Sequence, residues 1–343
     1  MSAPSRTEHH DVEGPVDLLV EIDTGRVDVR LRPDTAAPTW EAASATTSEA
    51  TTPGPDGGEA TATREVRVEV TADPEEAPGW VRGLAGLMDA AGGLERRFGF
   101  DLGAMTGLGA NPGEDPEERA RRAVEGVEIT LADGRLSVRG PREVMLRAVT
   151  LAVTVHAPAG CGVAVHAGAA PVDVTGRPGE VEIRTTGTVA VEEIAARGAI
   201  RCGAGDVSVR RVAGVLRVKG GAGDVTLGDV GASTEVVTGS GSVAVARVAA
   251  DLSVRAGSGD VTVRDASAGD LELSTGAGSV RVGVHPGVEA SVDLRSAAGS
   301  ASSDLPVSRT RPETGTDATA GAPLRIRGRA AAGSARVQSA APA

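Results

Sequence analysis

Short oxygen-bearing side chains recur at a fixed spacing in the second half of the chain. Each directly follows the second glycine of a Gly-rich turn motif. Two chemistries suit this pattern: a ladder of carboxylates that binds Ca²⁺, and turn caps that accept backbone N–H groups. The residues are Thr188, Asp206, Asp224, Ser242, Asp260 and Ser279.

The spacing favours turn caps over calcium. Calcium-binding nonapeptide repeats place GGxGxD in both halves of an eighteen-residue coil. Here GGAGD, from Gly220 to Asp224, sets the aspartate directly after glycine, and the opposite corner has no such motif. We therefore expect no bound metal, and we interpret one set as structural turn caps: Asp206, Asp224, Ser242, Asp260 and Ser279.

Residues typical of catalysis do not form a recognisable constellation. None of the five histidines has an HxxxH or HExxH neighbour, and Ser240 and Ser258 lie outside a GxSxG motif. Cys161 and Cys202 lack CxxC spacing, so we interpret them as free, small residues at turns. The sequence predicts a protein that is not an enzyme and has no cofactor.

A repeat governs the same half of the chain and predicts the fold. The motifs begin at spacings of 18, 18, 18 and 19 residues, and pairs of apolar residues two apart indicate strands with one buried face. Stacked coils would bury these faces together, with Val207, Val225, Val243 and Val261 forming one inward column. The motifs are GAGDVSV at Gly203, GAGDVTL at Gly221, GSGSVAV at Gly239, GSGDVTV at Gly257 and GAGSVRV at Gly276.

We therefore predict an all-β chain, a single-chain β-solenoid (β-helix) of about 18-residue coils, with a helical insert near its N-terminal end. The iterated G-[AS]-G-[DS]-V-x-[VL] motif, as in RAGSGDVTVRDASAGDLELSTGAGSV, resembles the bacterial putative-adhesin family of β-strand-repeat domains of unknown function. The resemblance covers roughly residues 126–303. It implies a single-chain β-helix and supplies no catalytic residues.

The first half of the chain is less regular. Val16 to Ile22 and Arg26 to Arg32 alternate around Asp23-Thr24-Gly25, which predicts a hairpin, and a second hairpin is predicted around Ala132-Asp133-Gly134. The predicted organisation is as follows: strands that start the stack in 1–32, a disordered linker in 33–63, a strand in 64–74, the helical insert in 75–125, the solenoid in 126–303, a mobile loop in 304–322, and a terminal coil and tail in 323–343.

Apolar residues in the insert recur every three or four positions, as in an amphipathic helix. Asp115 to Glu118 then supplies start signals for a second short helix that ends near Val124. Three of the four aromatic residues lie in the first helix, so we expect it either to cover the solenoid or to bind a partner. Its candidate interaction residues are Trp80, Leu84, Met88, Phe98 and Phe100.

Composition limits the partners. The 343 residues carry 35 Lys and Arg against 47 Asp and Glu, a formal charge of -12, which disfavours nucleic acid and anionic membranes. No stretch is apolar enough to span a membrane, and residues 1–15 lack the pattern of a secretory signal, so we expect a cytoplasmic location.

Two classes of function follow, and a third is more remote. We expect a non-enzymatic protein interaction or scaffold module whose partner is a protein. The alternative is a self-assembling structural protein similar to the bactofilin polymers, with possible self-association through the solenoid ends. A carbohydrate-active β-helix is the third hypothesis, although convergent carboxylates with aromatic platforms are not evident.

Overall fold

The computed structural model of the protein describes residues 3–12, 16–32, 64–72, 116–305 and 324–340. These residues form two long sheets that face each other, and the apolar core runs between the sheets. From Arg135 onward, successive described strands alternate between the sheets, so each pair of strands makes one coil of a β-solenoid. The predicted fold class is therefore confirmed.

The first sheet, called sheet A, has thirteen strands among the described residues. In spatial order they are β1 (Ser5–Val12), β4 (Arg64–Ala72), β7 (Leu151–Pro158), β3 (Gly25–Arg32), β9 (Val172–Thr175), β11 (Val189–Ile194), β13 (Val207–Val212), β15 (Val225–Val230), β17 (Val243–Val248), β19 (Val261–Ala266), β21 (Val280–Val284), β25 (Ala335–Ser339) and β23 (Ala301–Ser303).

The second sheet, called sheet B, has twelve described strands. Its spatial order, starting from the opposite end, is β22 (Ala290–Ala298), β24 (Leu324–Ala332), β20 (Asp270–Ala277), β18 (Leu252–Ser258), β16 (Thr234–Ser240), β14 (Val215–Gly220), β12 (Arg197–Cys202), β10 (Glu180–Thr185), β8 (Gly162–Ala167), β2 (Asp17–Ile22), β6 (Arg135–Arg139) and β5 (Glu128–Ala132).

The central coils stack in parallel with the repeat in register. Val207 pairs with Val225, Val225 with Val243, and Val243 with Val261. All four side chains are buried, with at most 1% of their surface exposed. The predicted inward column is thus confirmed, and each valine covers the valine of the next coil.

Glycine at the corners permits this close stacking. A Cβ atom built on Gly223 would lie 2.1 Å from the carbonyl oxygen of Gly205 in the preceding coil. Any side chain here would therefore collide with backbone. At Gly223 the distance between coils alone requires glycine, whereas Gly241, Gly259 and Gly278 at the same place in later coils also have positive φ angles.

One of the two predicted hairpins is wrong. β2 lies in sheet B and β3 in sheet A, and both pair in parallel with strands from other coils. A hairpin and a solenoid corner both need a tight turn, and Gly25, with a φ of 133°, supplies one. The local signal of Asp23-Thr24-Gly25 therefore does not distinguish between the two.

The second hairpin is confirmed. β5 and β6 pair antiparallel, with Ala132 opposite Arg135. Asp133 and Gly134 adopt φ angles of 51° and 72°, as a two-residue hairpin turn of this kind requires.

Both terminal coils are inserted between other coils. The coil formed by β2 and β3 lies between two other coils. The coil of β6 and β7 is on one side, and the coil of β8 and β9 is on the other. The coil formed by β24 and β25 likewise has the coil of β20 and β21 on one side and the coil of β22 and β23 on the other. The order of coils in space therefore differs from their order along the chain at both ends.

A helix and two antiparallel strands extend the stack at its N-terminal end. β4 pairs antiparallel with β7 and with β1, and the helix α1 (Pro116–Glu125) contacts both β1 and β4. Ala120, Ala123 and Val124 of the helix are buried in the core. The short helix predicted to end near Val124 is confirmed.

Candidate functional site

The predicted interaction residues belong to a segment that the structure leaves out. Residues 73–115 lie outside the described residues, and with them the five candidates of the helical insert. These are Trp80, Leu84, Met88, Phe98 and Phe100. Their role stays a prediction from the sequence.

Three of the five residues interpreted as turn caps, Asp206, Asp224 and Asp260, lie at one corner of the coils and connect each coil to the next. The carboxylates of Asp206 and Asp224 accept the backbone N–H of Asp224 and Ser242, over 2.9 and 2.7 Å. Asp260 accepts the N–H of Ser279 over 2.8 Å. Each bond therefore joins one coil to the next, whereas the sequence suggested a bond within a single turn.

The environment of Asp260 favours its charged form. The hydrogen bond from the Ser279 N–H lowers the pKa of this carboxyl, and the guanidinium of Arg281 lowers it further. No cluster of three or more His, Cys, Asp or Glu able to hold a metal ion occurs in the described ranges.

Cys202 lies at the end of β12. Its thiol is buried and contacts the Gly205 carbonyl oxygen at 2.9 Å. Burial raises the pKa of the thiol above its usual range, so the protonated form prevails at neutral pH. This side chain fills a corner and is not activated as a nucleophile.

An open groove of about 810 Å³ crosses sheet B near its N-terminal end. One wall is formed by the ends of β2, β8, β10, β12 and β14, and the other by the segment from Arg139 to Arg147. Most of the charged side chains that line the groove are basic. They are Arg139, Arg142, Arg147, Arg184, Arg201 and Lys219, against Glu21, Asp23 and Glu128.

Strand register places three of these cations in one column. Arg184 of β10 pairs with Arg201 of β12, which pairs with Lys219 of β14. Neighbouring strands are about 4.8 Å apart, and all three residues are exposed on the outer face. We call Arg184, Arg201 and Lys219 the basic ladder. Like charges directly opposite each other across strands destabilise a sheet.

A column on sheet A shows the opposite arrangement. Five residues there alternate in sign across successive strands, and we call them the alternating ladder. The guanidinium of Arg247 makes two hydrogen bonds to Asp229, at 2.6 and 2.8 Å, which lowers the pKa of Asp229 and raises that of Arg247. The alternating ladder is Glu193, Arg211, Asp229, Arg247 and Asp265.

Most cations at the rim of the groove are paired. Ion pairs join Arg139 to Glu21 at 2.9 Å, Arg142 to Glu128 at 2.9 Å, Arg147 to Asp23 at 3.6 Å and Arg184 to Glu182 at 2.5 Å. Among the described residues, Arg201 and Lys219 have no ion pair within 4.0 Å. The centre of the groove therefore presents two uncompensated cations.

His166 lies next to the basic ladder, because it pairs with Arg184 across the strands. Its Nδ1 atom is 3.6 Å from a carboxylate oxygen of Glu21. Its Nε2 atom is buried and has no hydrogen-bond partner in the described part of the chain. This polar atom adds a potential contact beside the two cations.

Sequence reasoning missed the groove, although part of its signal is visible in the repeat. The segments EIRTT, AIRCG and RVKGG carry Arg184, Arg201 and Lys219 at successive periods of 17 and 18 residues. Alignment of the coils would have revealed this basic column. The other wall could not be found in this way, because residues 139–147 lie outside the regular repeat.

The family of the chain is now evident. The model of the Toastrack DUF4097 family matches residues 121–328, and these residues include the central coils and the basic ladder. The protein belongs to this family, which is named as a domain of unknown function.

Solved structures show a more distant likeness. A putative adhesin from Bacteroides fragilis is 10% identical, with 97% of each chain covered and a TM-score of 0.37. A putative adhesin from Parabacteroides distasonis is 11% identical, with 98% of each chain covered and a TM-score of 0.32. A putative cell adhesion protein from Clostridium sporogenes is 8% identical, covers 98% of this chain and 99% of that one, and has a TM-score of 0.18.

No curated protein matches the chain. No helix in the described residues is both long and apolar enough to cross a membrane.

Proposed function

We propose that this adhesin-like β-solenoid is a non-enzymatic protein interaction or scaffold module. In this proposal the groove on sheet B holds an acidic segment of a partner protein. The basic ladder is the observation that supports it: Arg184, Arg201 and Lys219 lie on adjacent strands with like charges opposite each other.

The cost of the basic ladder points to a ligand. The alternating ladder on the opposite sheet has the same strand spacing and places opposite charges on adjacent strands, with Asp229 and Arg247 joined directly. Stability alone would favour that arrangement at both places. A column of like charges is explained if an anionic group binds along it, because each carboxylate of a bound segment would neutralise one cation.

An extended acidic peptide fits the geometry of the groove. The cations recur about every 4.8 Å across the strands, and alternate residues of an extended chain recur about every 6.6 to 6.8 Å. The long side chains of Arg and Lys can accommodate this difference. The exposed position of Arg201 and Lys219 implies contacts that salt weakens.

The bactofilin-like alternative receives less support. End-to-end polymers need two ends that can associate. At the described N-terminal end, the edge strand β1 places Arg6, Glu8 and His10 in the row that faces the core, and charges in that row normally prevent strands from associating. The cytoplasmic location stays a prediction, which cell fractionation would test.

The binding test uses a fluorescently labelled oligoglutamate peptide and measures its anisotropy at several salt concentrations. We expect binding that weakens with salt, and at least a tenfold loss of affinity in the double variant Arg201→Gln/Lys219→Gln, or about 1.4 kcal/mol. The matched control is Arg211→Gln/Arg247→Gln, which removes two positive charges from the alternating ladder and should keep the wild-type affinity.

Thermal unfolding of the same variants provides a second readout. The Arg201→Gln/Lys219→Gln variant should melt at the wild-type temperature or above it, because repulsion is relieved. The Arg211→Gln/Arg247→Gln control should melt below it, because attraction is lost. Equal peptide affinity in the two double variants would contradict the proposal, and tighter binding of a single-stranded oligonucleotide than of the peptide would assign the groove to another ligand.

A further inference from the structure

The C-terminal end of the stack is open in the described part of the chain. Sheet B ends at β22 and sheet A at β23, and no described strand pairs with their outer edges. Val292 and Leu294 of β22 are only partly buried, although they occupy the inward row. In the next two coils, the same row contains Ile326 and Leu271, which are at most 1% exposed.

The edge of β22 lacks the features that normally prevent strands from associating. The strand is nine residues long, contains no proline and has no irregularity in its pairing with β24. Its inward side chains carry no charge. Natural edge strands are usually short, irregular, covered or charged toward the core, and an unprotected edge is a template for another strand.

The sequence of β22 is complementary to itself when two copies run antiparallel. If a two-fold axis passes through Leu294, the middle residue of the strand, Asp293 of each copy lies opposite Arg295 of the other. Inward residues then face inward residues, with Leu294 against Leu294 and Ala290 against Ala298. All nine residues of Ala290–Ala298 pair in this register.

Backbone geometry agrees with the same register. The Ala298 carbonyl accepts a hydrogen bond from the Gly333 N–H, so the even-numbered residues of β22 direct their backbone groups toward the neighbouring coil. The odd-numbered residues therefore direct theirs toward the free edge. With the axis at Leu294, Asp293 of one copy and Arg295 of the other lie opposite each other and exchange backbone hydrogen bonds. Antiparallel sheets have such a hydrogen-bonded pair at every other position.

We propose that the protein forms a two-fold symmetric dimer through this end, with the outer edge of β22 paired to the same edge of a second copy. A two-fold axis perpendicular to the sheets would also place β23 of one copy beside β23 of the other. A two-fold contact uses the same edge of both chains, so this interface is complete when two chains have paired. The proposal does not depend on the ligand of the groove.

Charge reversal provides a direct test by sedimentation or multi-angle light scattering. In the monomer, Asp293 and Arg295 are exposed and pair with each other at 3.0 Å, so their substitution should leave the fold intact. We expect the wild type to have twice the 34.3 kDa mass of the chain. The single variants Asp293→Arg and Arg295→Asp should each be monomeric, because like charges would then face each other at the two-fold axis.

A mixture of the two single variants distinguishes this interface from a general loss of association. One chain then contributes two cations and the other two anions, so a one-to-one heterodimer should form. Arg26→Asp is the matched control, since Arg26 pairs with Asp28 on the inner strand β3 in the same two-residue spacing. This control should remain dimeric.

Three results would overturn the proposal. A monomeric wild type at high micromolar concentration would mean that this end is not an interface, as when residues 306–323 of the same chain cover it. Dimers that persist in both single variants would place the contact elsewhere. Assemblies larger than two chains would show that the N-terminal end also associates. Peptide binding in the groove can succeed or fail in each case, so the two proposals are separable.

Discussion

Substitution of Gly223 by alanine tests the stacking of the coils most directly. The new Cβ atom would lie 2.1 Å from the Gly205 carbonyl oxygen and 2.4 Å from its carbonyl carbon. Both atoms belong to the backbone, so no side chain can move aside. Gly223 has no positive φ, and the predicted effect therefore comes from the steric contact alone.

The magnitude follows from the hydrogen bonds at this corner. Carbon and oxygen normally approach no closer than about 3.3 Å, so the two coils would have to separate locally by about 1 Å. The bonds from Val207 N to the Asp224 carbonyl, at 2.8 Å, and from Asp224 N to the Asp206 carboxylate, at 2.9 Å, would be lost or strongly weakened. We expect a loss of about 2–4 kcal/mol in the free energy of unfolding.

Gly220→Ala is the matched control in the same coil. The nearest atom to its new Cβ would be the hydroxyl oxygen of Thr238 at 3.4 Å, an ordinary contact. This variant should be unchanged, or more stable by about 0.4–1 kcal/mol, because alanine restricts the unfolded chain.

Denaturant and thermal unfolding of both variants would measure the difference. A decrease of about 2–4 kcal/mol should lower the melting temperature of Gly223→Ala by several degrees. If Gly223→Ala melts within error of Gly220→Ala, the coils are not as closely packed at this corner as the structure indicates, and the explanation of the repeated glycine is wrong.

Three further predictions address the aspartate turns and the insert. Because the folded-state pKa of Asp260 is lowered, its contribution is present above the ordinary Asp pKa of about 3.9 and is lost as the pH falls through the lower folded value. As the pH falls, the free energy of unfolding should therefore decrease less steeply for Asp260→Asn than for the wild type. Identical acid unfolding curves for the two proteins would contradict this. Ca²⁺ or EDTA should leave the melting temperature unchanged, whereas a rise with Ca²⁺ would show that Asp206, Asp224 and Asp260 bind the metal. Replacement of residues 78–108 by a short Gly-Ser bridge should preserve the β-rich circular dichroism spectrum. It should also cause aggregation or loss of partner capture. A deletion variant that is as soluble as the full chain and retains its partners would exclude both roles for the insert.

Much of the solenoid could be predicted because its information is local and repeated. Alternation of Val207 and Val209 with polar residues defines a strand with one buried face. The period of 18 residues then implies that equivalent valines lie above one another. The same logic extends to Arg184, Arg201 and Lys219, whose positions on adjacent strands follow from the period once the coils are aligned.

The sequence by itself determined the repeating unit, its inward column and the glycine at its corner, because each depends on residues within one coil or one period. Only the tertiary structure decided which coils are neighbours at the two ends. There the coil of β2 and β3, and that of β24 and β25, insert between other coils. The contact of Arg139 with Glu21 joins residues 118 positions apart. Parallel strands are joined by hydrogen bonds between backbone groups, which do not depend on the type of side chain. The local pattern therefore defines a strand without specifying which distant strand lies beside it.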